Sequence, residues 1–291
     1  MTTERLHRDA LLVETDWLAR RLTDPQIRVV DIRGIIKPPD APKPWYLAQH
    51  EAYRQSHIPG AGFVDWTEDI VEPTSPVHMT LAGPGRFKAC MERLGIGNGH
   101  LVVVYDDTGT IAPRLWWALN YYGHAGVRLL DGGWTQWVAQ GRPVTADLPL
   151  HPPAVFTPRV EPQWRVGTAE VKAAMRDREA VLVDCRSPKE FVGEIGRGER
   201  KGRIPGAVNV PVGRFLDPQQ KTWKDPQEIR KMFDAAGVTP DRRVITYCNA
   251  GVSASVGLFA LKLLGFSRAA NFAGSWYEWE AEPANPVETG A

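Results

Sequence analysis

The sequence predicts an α/β protein built of two tandem domains, each a parallel sheet with helices on both faces. Three observations carry that prediction. Short β-branched runs alternate with helix-period segments along the chain. The chain also repeats itself: LVVVYDDTGTIAPRLWWALNYYG (101–123) lies over VITYCNAGVSASVGLFALKLLG (244–265), and Tyr105/Tyr247, Gly109/Gly251, Leu119/Leu261 and Trp134/Trp276 are each 142 residues apart. Between the copies, PVTADLPLHPPAVFTPRVEPQW carries six prolines, the composition of an extended linker.

These marks divide the chain into a first domain at 8–142, a linker at 143–164 and a second domain at 165–285. Further upstream the copies still answer each other: VVDIRG (29–34) matches LVDCRS (182–187), and HIPGAGFVDW (57–66) matches RIPGAVNVPV (203–212). The period is far too long for a solenoid, so it reads as a duplicated domain. In the second copy, TAEVKAAMRD (168–177) reads as a helix with Thr168 as N-cap, and VLVDC (181–185) as a buried strand. DPQEIRKMFDAAG (225–237) is a helix opened by Asp225 with proline in its first turn and closed by Gly237. VITY (244–247) is the next strand, and SVGLFALKLLG the next helix, with Val256, Phe259, Ala260, Leu263 and Leu264 on one face. Strand–helix alternation makes the sheet parallel, and its working edge is the carboxyl end of the strands. The segment IIKPPDAPKPWYLAQH (35–50) has no counterpart in the second half and reads as a surface loop stiffened by proline; Trp45 as a wall of an interdomain cleft is the less favoured reading. The recurring Trp134 and Trp276 read as packing residues.

Composition narrows the function. A net charge of +1 without runs of like charge offers no field for nucleic acid. No apolar stretch is long enough to span a membrane, and the charged N-terminus is unlike a signal peptide. Three cysteines in 291 residues make no disulfide framework and fit a reducing cytoplasm.

One cysteine stands at a place where chemistry is done. Cys248 ends a strand and is followed by Asn249, Ala250, Gly251, Val252, Ser253, Ala254 and Ser255, then by a helix. Small residues let the backbone curl around the sulfur with N–H groups pointing inward, and a helix N-terminus favours the thiolate. Gly251 gives the curl its backbone freedom, and Ser253 is placed to cap the helix or bond the sulfur. Most free cysteines are inert core thiols. Cys90, in a helical pattern, and Cys185, in a strand, read that way, whereas the position of Cys248 favours a nucleophile.

The loop C-N-A-G-V-S-A-S, the doubled domain, D-C-R in the second half and I-P-G-A in both resemble the tandem-domain rhodaneses, the thiosulfate and 3-mercaptopyruvate sulfurtransferases. The resemblance implies two rhodanese-like domains, of which only the second is catalytic; Asp106 stands where the first would need a cysteine. It implies transfer of a sulfane sulfur from a small-molecule donor to a thiol or cyanide acceptor through a Cys248 persulfide, with no metal or organic cofactor. It makes Arg186 the grip on the donor's anionic end, against the alternative of a structural pair with Asp184. It makes Asn249, Ala250, Gly251, Val252 and Ser253 the substrate-binding loop, with Asp65 and His78 as first-domain contributors.

The loop departs from both subtypes. Thiosulfate-preferring members carry basic residues after the cysteine; mercaptopyruvate-preferring members carry glycine and serine. Here they are Asn249 and Ala250, and the second substrate arginine of the mercaptopyruvate enzymes falls on Val192. Two mercaptopyruvate features are therefore missing, which leans the reading towards thiosulfate-type donors. A phosphatase of the same fold would need an arginine six residues after the cysteine, where this chain has Ala254. VVVYDDTGTI looks like a haloacid-dehalogenase signature with Asp106 as nucleophile, but the match to the second repeat explains it more simply. A non-enzymatic binding or sulfur-carrier module is the remaining alternative. With an interface already supplied between fused domains, a monomer is expected.

Overall fold

The structure is a computed structural model describing residues 3–290. The first half forms a five-stranded parallel sheet from β1 (Leu12–Val13), β2 (Ile27–Asp31), β3 (Ala61–Phe63), β4 (Leu101–Tyr105) and β5 (Val127–Leu130), in the order β1–β5–β4–β2–β3. The second half repeats it with β6 (Arg165–Val166), β7 (Ala180–Asp184), β8 (Val208–Asn209), β9 (Arg243–Tyr247) and β10 (Ala269–Phe272), in the order β6–β10–β9–β7–β8. The spatial order of equivalent strands is the same, so the duplication seen in the sequence is a duplication of topology.

A buried polar cluster recurs with it. In the first half the Arg33 guanidinium donates to both oxygens of Asp31, stacks on Trp134 at 4.2 Å, and Tyr105 donates to Asp31 at 2.7 Å. In the second half Arg186 donates to both oxygens of Asp184 and stacks on Trp276 at 4.7 Å. Tyr105 and Tyr247 each accept a backbone N–H, from Ile58 and Ile204, at 3.2 Å. Packing on the arginine therefore accounts for the repeated tryptophans.

The halves meet through equivalent helices, Ala112–Tyr121 and Val252–Leu263, with Trp116 edge-on to Phe259 at 4.8 Å. This corrects the amphipathic reading of the second helix. Ala254, Ser255, Gly257, Leu258 and Leu261 are buried as well, because the helix lies between its own sheet and the other domain. At Gly257 a Cβ would lie 2.5 Å from the Cys185 sulfur, so only glycine fits.

Two further expectations change. The helix Thr168–Ala174 is preceded by Gly167 as N-cap, whose N–H is held by the Glu170 carboxylate at 2.7 Å; Thr168 is inside the helix and donates to Glu278. The 35–50 insert is not simply a surface loop. It pairs Gly34–Ile36 with Tyr46–Ala48 as an antiparallel hairpin and reaches the second domain, where Arg197 donates to the Lys37 carbonyl. The linker lies along the first domain, burying Phe156 against Phe87. Among the described residues no helix is long and apolar enough to cross a membrane.

Candidate active site

The Cys248 loop follows β9 and turns into the helix at Gly251, which holds φ at 75°. Gly109, its first-half equivalent, has the same φ of 75°. A side chain on Gly251 would carry backbone strain and would also place a Cβ 2.4 Å from the Ala273 carbonyl oxygen. At Gly109 the nearest obstacle, at 2.8 Å, is the flexible end of Leu216. Gly251→Ala is therefore expected to lower the unfolding free energy by more than the roughly 1–2 kcal/mol that left-handed backbone costs an ordinary residue. Gly109→Ala should cost less. Equal losses in urea melts of the two variants would contradict this account.

The first-half loop displays the chemistry of the turn. Asp106 occupies the place of Cys248, and its buried carboxylate accepts the backbone N–H groups of Thr108, Gly109, Ile111 and Ala112, three of them at 2.5–2.8 Å. On balance the Asp106 pKa is raised, by burial, with those four donors opposing the rise. The curl is thus a cradle of four N–H donors closed on a carboxyl group. In the second half the corresponding residues are Ala250, Gly251, Ser253 and Ala254, and the first-turn amides have no acceptor within the helix.

Cys248 is 3% exposed, at the floor of a cavity of about 300 Å³. Arg186, Asn249, Ala250, Val252 and Ser253 line that cavity with it, joined by Cys185, Glu190, Arg197, Ile36 and Tyr46. Gly251 shapes the loop without lining the space. The Asn249 amide nitrogen donates to Glu190 at 2.8 Å, while its oxygen is buried without a partner. Ser253 does not reach the sulfur. Ser275 does: its hydroxyl lies 4.0 Å from Cys248 Sγ and accepts the Cys248 N–H at 3.1 Å. Ser275 holds a positive φ of 53°, where the first half has Gly133 at 50°.

Arg186 both lines the cavity and forms its pair with Asp184, and it also donates to the Gly202 carbonyl at 2.7 Å. No arginine stands at position 192, but Arg197 has come to the cavity from five residues on. It is 9% exposed, lies over Trp45 and Tyr46 at 5.3 and 5.2 Å, and keeps Nε and Nη1 without hydrogen-bond partners. An adjoining space of about 580 Å³ shares Tyr46 and Arg197 and is walled by Lys43, Trp45, His78 and Tyr277. Trp45 is thus a wall between the domains, the less favoured of the two sequence readings. The structure does not bring Asp65 and His78 together. His78 packs against Tyr46 and Tyr277, whereas Asp65 accepts from Thr67 and faces a separate first-domain cavity. A separate cavity of about 750 Å³ lies beside helix Pro226–Ala235 and is lined by neither cysteine nor histidine.

Burial disfavours the thiolate form of the other two cysteines. Burial pushes Cys90 up to about 12 and Cys185 well above the usual range, the latter also by the nearby Cys248 and Asp184 charges. Among the described residues no group of histidine, cysteine and carboxylate side chains is arranged to hold a metal. Sequence reasoning missed Arg197, Ser275, Tyr46 and a first-domain arginine, Arg114. The orphaned second-arginine position at Val192 was the one signal that a replacement should be sought.

The Rhodanese-like domain family model matches residues 14–140 and 167–282. Sulfur carrier protein TtuD of Thermus thermophilus is 33% identical over 294 residues, covering 96% of this chain and 97% of that protein. Thiosulfate sulfurtransferase of Rattus norvegicus is 33% identical over 292 residues, covering 96% and 95%. The crystal structure of SseA from Escherichia coli, a 3-mercaptopyruvate sulfotransferase with the rhodanese fold, has a TM-score of 0.81 at 30% identity, covering 91% of this chain and 98% of that one. With both halves matched and full-length relatives named as sulfurtransferases, the chain belongs to the rhodanese family.

Proposed function

We propose that this protein is a sulfurtransferase that carries a sulfane sulfur as a Cys248 persulfide, with residues 165–285 catalytic and residues 8–142 a supporting domain. The Cys248 thiolate attacks the outer sulfur of an anionic donor. With thiosulfate the S–S bond breaks and sulfite leaves with the electron pair; with 3-mercaptopyruvate the C–S bond breaks and the carbon takes a proton to give pyruvate. An acceptor thiolate or cyanide then attacks the outer persulfide sulfur, and Cys248 leaves as thiolate. The observation that carries this reading is the Asp106 cradle: a loop whose twin aims four N–H groups at two carboxyl oxygens suits a thiolate and a persulfide anion.

For the donor's charged end we assign Arg197 together with Arg186. Arg197 lines the Cys248 cavity with two unpartnered nitrogens, while Arg186 already serves Asp184. Neither Asn249 nor Ala250 brings charge, so these arginines supply what the loop lacks. Arg197→Gln is expected to raise KM for thiosulfate about 10-fold, the worth of one charge-assisted hydrogen bond, with a smaller change in kcat. Steady-state thiocyanate formation checks this; an unchanged KM would remove Arg197 from the donor site. The same assay tests the reading as a whole, since turnover with thiosulfate or 3-mercaptopyruvate is required and turnover of an aryl phosphate is not expected.

A further inference from the structure

A fully buried positive charge from the first domain stands beside the Cys248 loop with nothing negative paired to it. Arg114, on helix Ala112–Tyr121, is 1% exposed. Its Nη2 donates to the Met79 carbonyl at 2.8 Å and its Nη1 reaches the Gly251 carbonyl at 3.5 Å; Trp117 lies under the guanidinium at 4.7 Å. A Cβ on Gly251 would come within 3.0 Å of Nη1. No carboxylate pairs with Arg114 among the described residues, although a buried unpaired charge is among the costliest features a core can hold.

We propose that Arg114 is a positioning residue through which the first domain holds Cys248 in the anionic form, as thiolate and then as persulfide. The groups facing Arg114 are Arg165, Tyr122 and Cys248, and only Cys248 becomes an anion in the reaction. The Arg114 pKa is lowered to about 10: burial lowers it most, and negative charge at Cys248 offsets part of that. Arg114 Nη1, 3.5 Å from the Gly251 carbonyl, puts a buried positive charge against the loop that carries Cys248, where an opposite charge is favoured. Cys248 itself is faced by Cys185 from the end of β7, Tyr46 from the insert and Tyr277 from the following helix, with Arg186, Glu190 and Arg197 along its cavity. Arg186 is matched by Asp184, and Glu190 adds a negative charge, so among the cations on this side the unmatched ones are Arg197 and, beneath the loop, Arg114. A first domain without a nucleophile thereby contributes charge to the second.

The inference rests on Cys248 being the sulfur-bearing nucleophile, and the test uses no sulfur donor, so the two readings fail separately. The rate of Cys248 alkylation by iodoacetamide, read by intact mass across pH, reports the thiolate. Replacing Arg114 by Met is expected to move the midpoint of that profile up by about 1 pH unit, and Arg114→Lys is expected to restore most of it. If the Met variant does not fold, Arg114→Gln carries the same comparison without charge. A second arm copies the first domain: Cys248→Asp and its neutral twin Cys248→Asn are compared by Tm at pH 7. The Tm advantage of Asp over Asn should shrink by about 3 °C when Arg114 is replaced. An unshifted alkylation profile in a folded uncharged variant, no rescue by Lys, or the same Asp–Asn difference in both backgrounds overturns the proposal.

Discussion

Cys248→Ser is expected to reduce sulfur transfer by about 10⁴-fold or more while leaving the fold intact. An alcohol is a far weaker nucleophile than a thiolate, and removing a covalent nucleophile usually erases all but background catalysis. Nothing nearby substitutes for it. Cys185 is buried against Gly257 with its thiol pushed well above the usual range, and Cys90 lies in the first-domain core. Serine keeps the size of the side chain, so the loop, its Ser275 contact and the Gly251 turn are retained. Cys185→Ser is the matched control and should keep activity. Substantial turnover in Cys248→Ser, measured as thiocyanate formation, would place the sulfur on another residue.

The largest stability effect is expected at the twin aspartates. Asp31 and Asp184 are fully buried, each answering a buried arginine with both carboxylate oxygens. Removing one partner of such a pair leaves an uncompensated charge and typically costs about 3–5 kcal/mol. Asp31→Ala and Asp184→Ala should therefore lose similar amounts in chemical unfolding, although only one of them lies in the domain with the cysteine. The comparison separates two jobs of Arg186. A loss at Asp184 much smaller than at Asp31 would mean that Arg186 is anchored elsewhere and that donor binding is its main task. Equal losses make the pair a structural device inherited by both copies.

What was legible in the sequence was what local chemistry fixes. Gly109 and Gly251 sit at positive φ in equivalent turns, and the residues that share one offset share one strand order. Strand end, cysteine, small loop and helix start single out Cys248, the nucleophile proposed here, from one segment alone. What was not legible depends on distant parts of the chain coming together. Arg114 reads as one more residue of an apolar helix, and only the packing of two domains sets it under Gly251. Arg197 sits in a charged, glycine-rich stretch, and the insert that covers it arrives from 160 residues away. Ser253 was the obvious hydroxyl for the sulfur because it is close in sequence. The left-handed backbone at Ser275 brings a different one, from the next strand–helix junction. Of the two first-domain candidates, Asp65 and His78, only His78 borders the space beside the Cys248 cavity. Thr67 makes Asp65 a local turn partner, and Asp65 faces a separate first-domain cavity.

Sulfur carried on Cys248 is read by intact mass. The protein is incubated with thiosulfate, and separately with 3-mercaptopyruvate, freed of donor and weighed, alongside Cys248→Ser. A gain of one sulfur, about 32 Da, is expected with at least one donor, removed by cyanide and absent from the variant. No gain with either donor, or a gain that persists in Cys248→Ser, would contradict it.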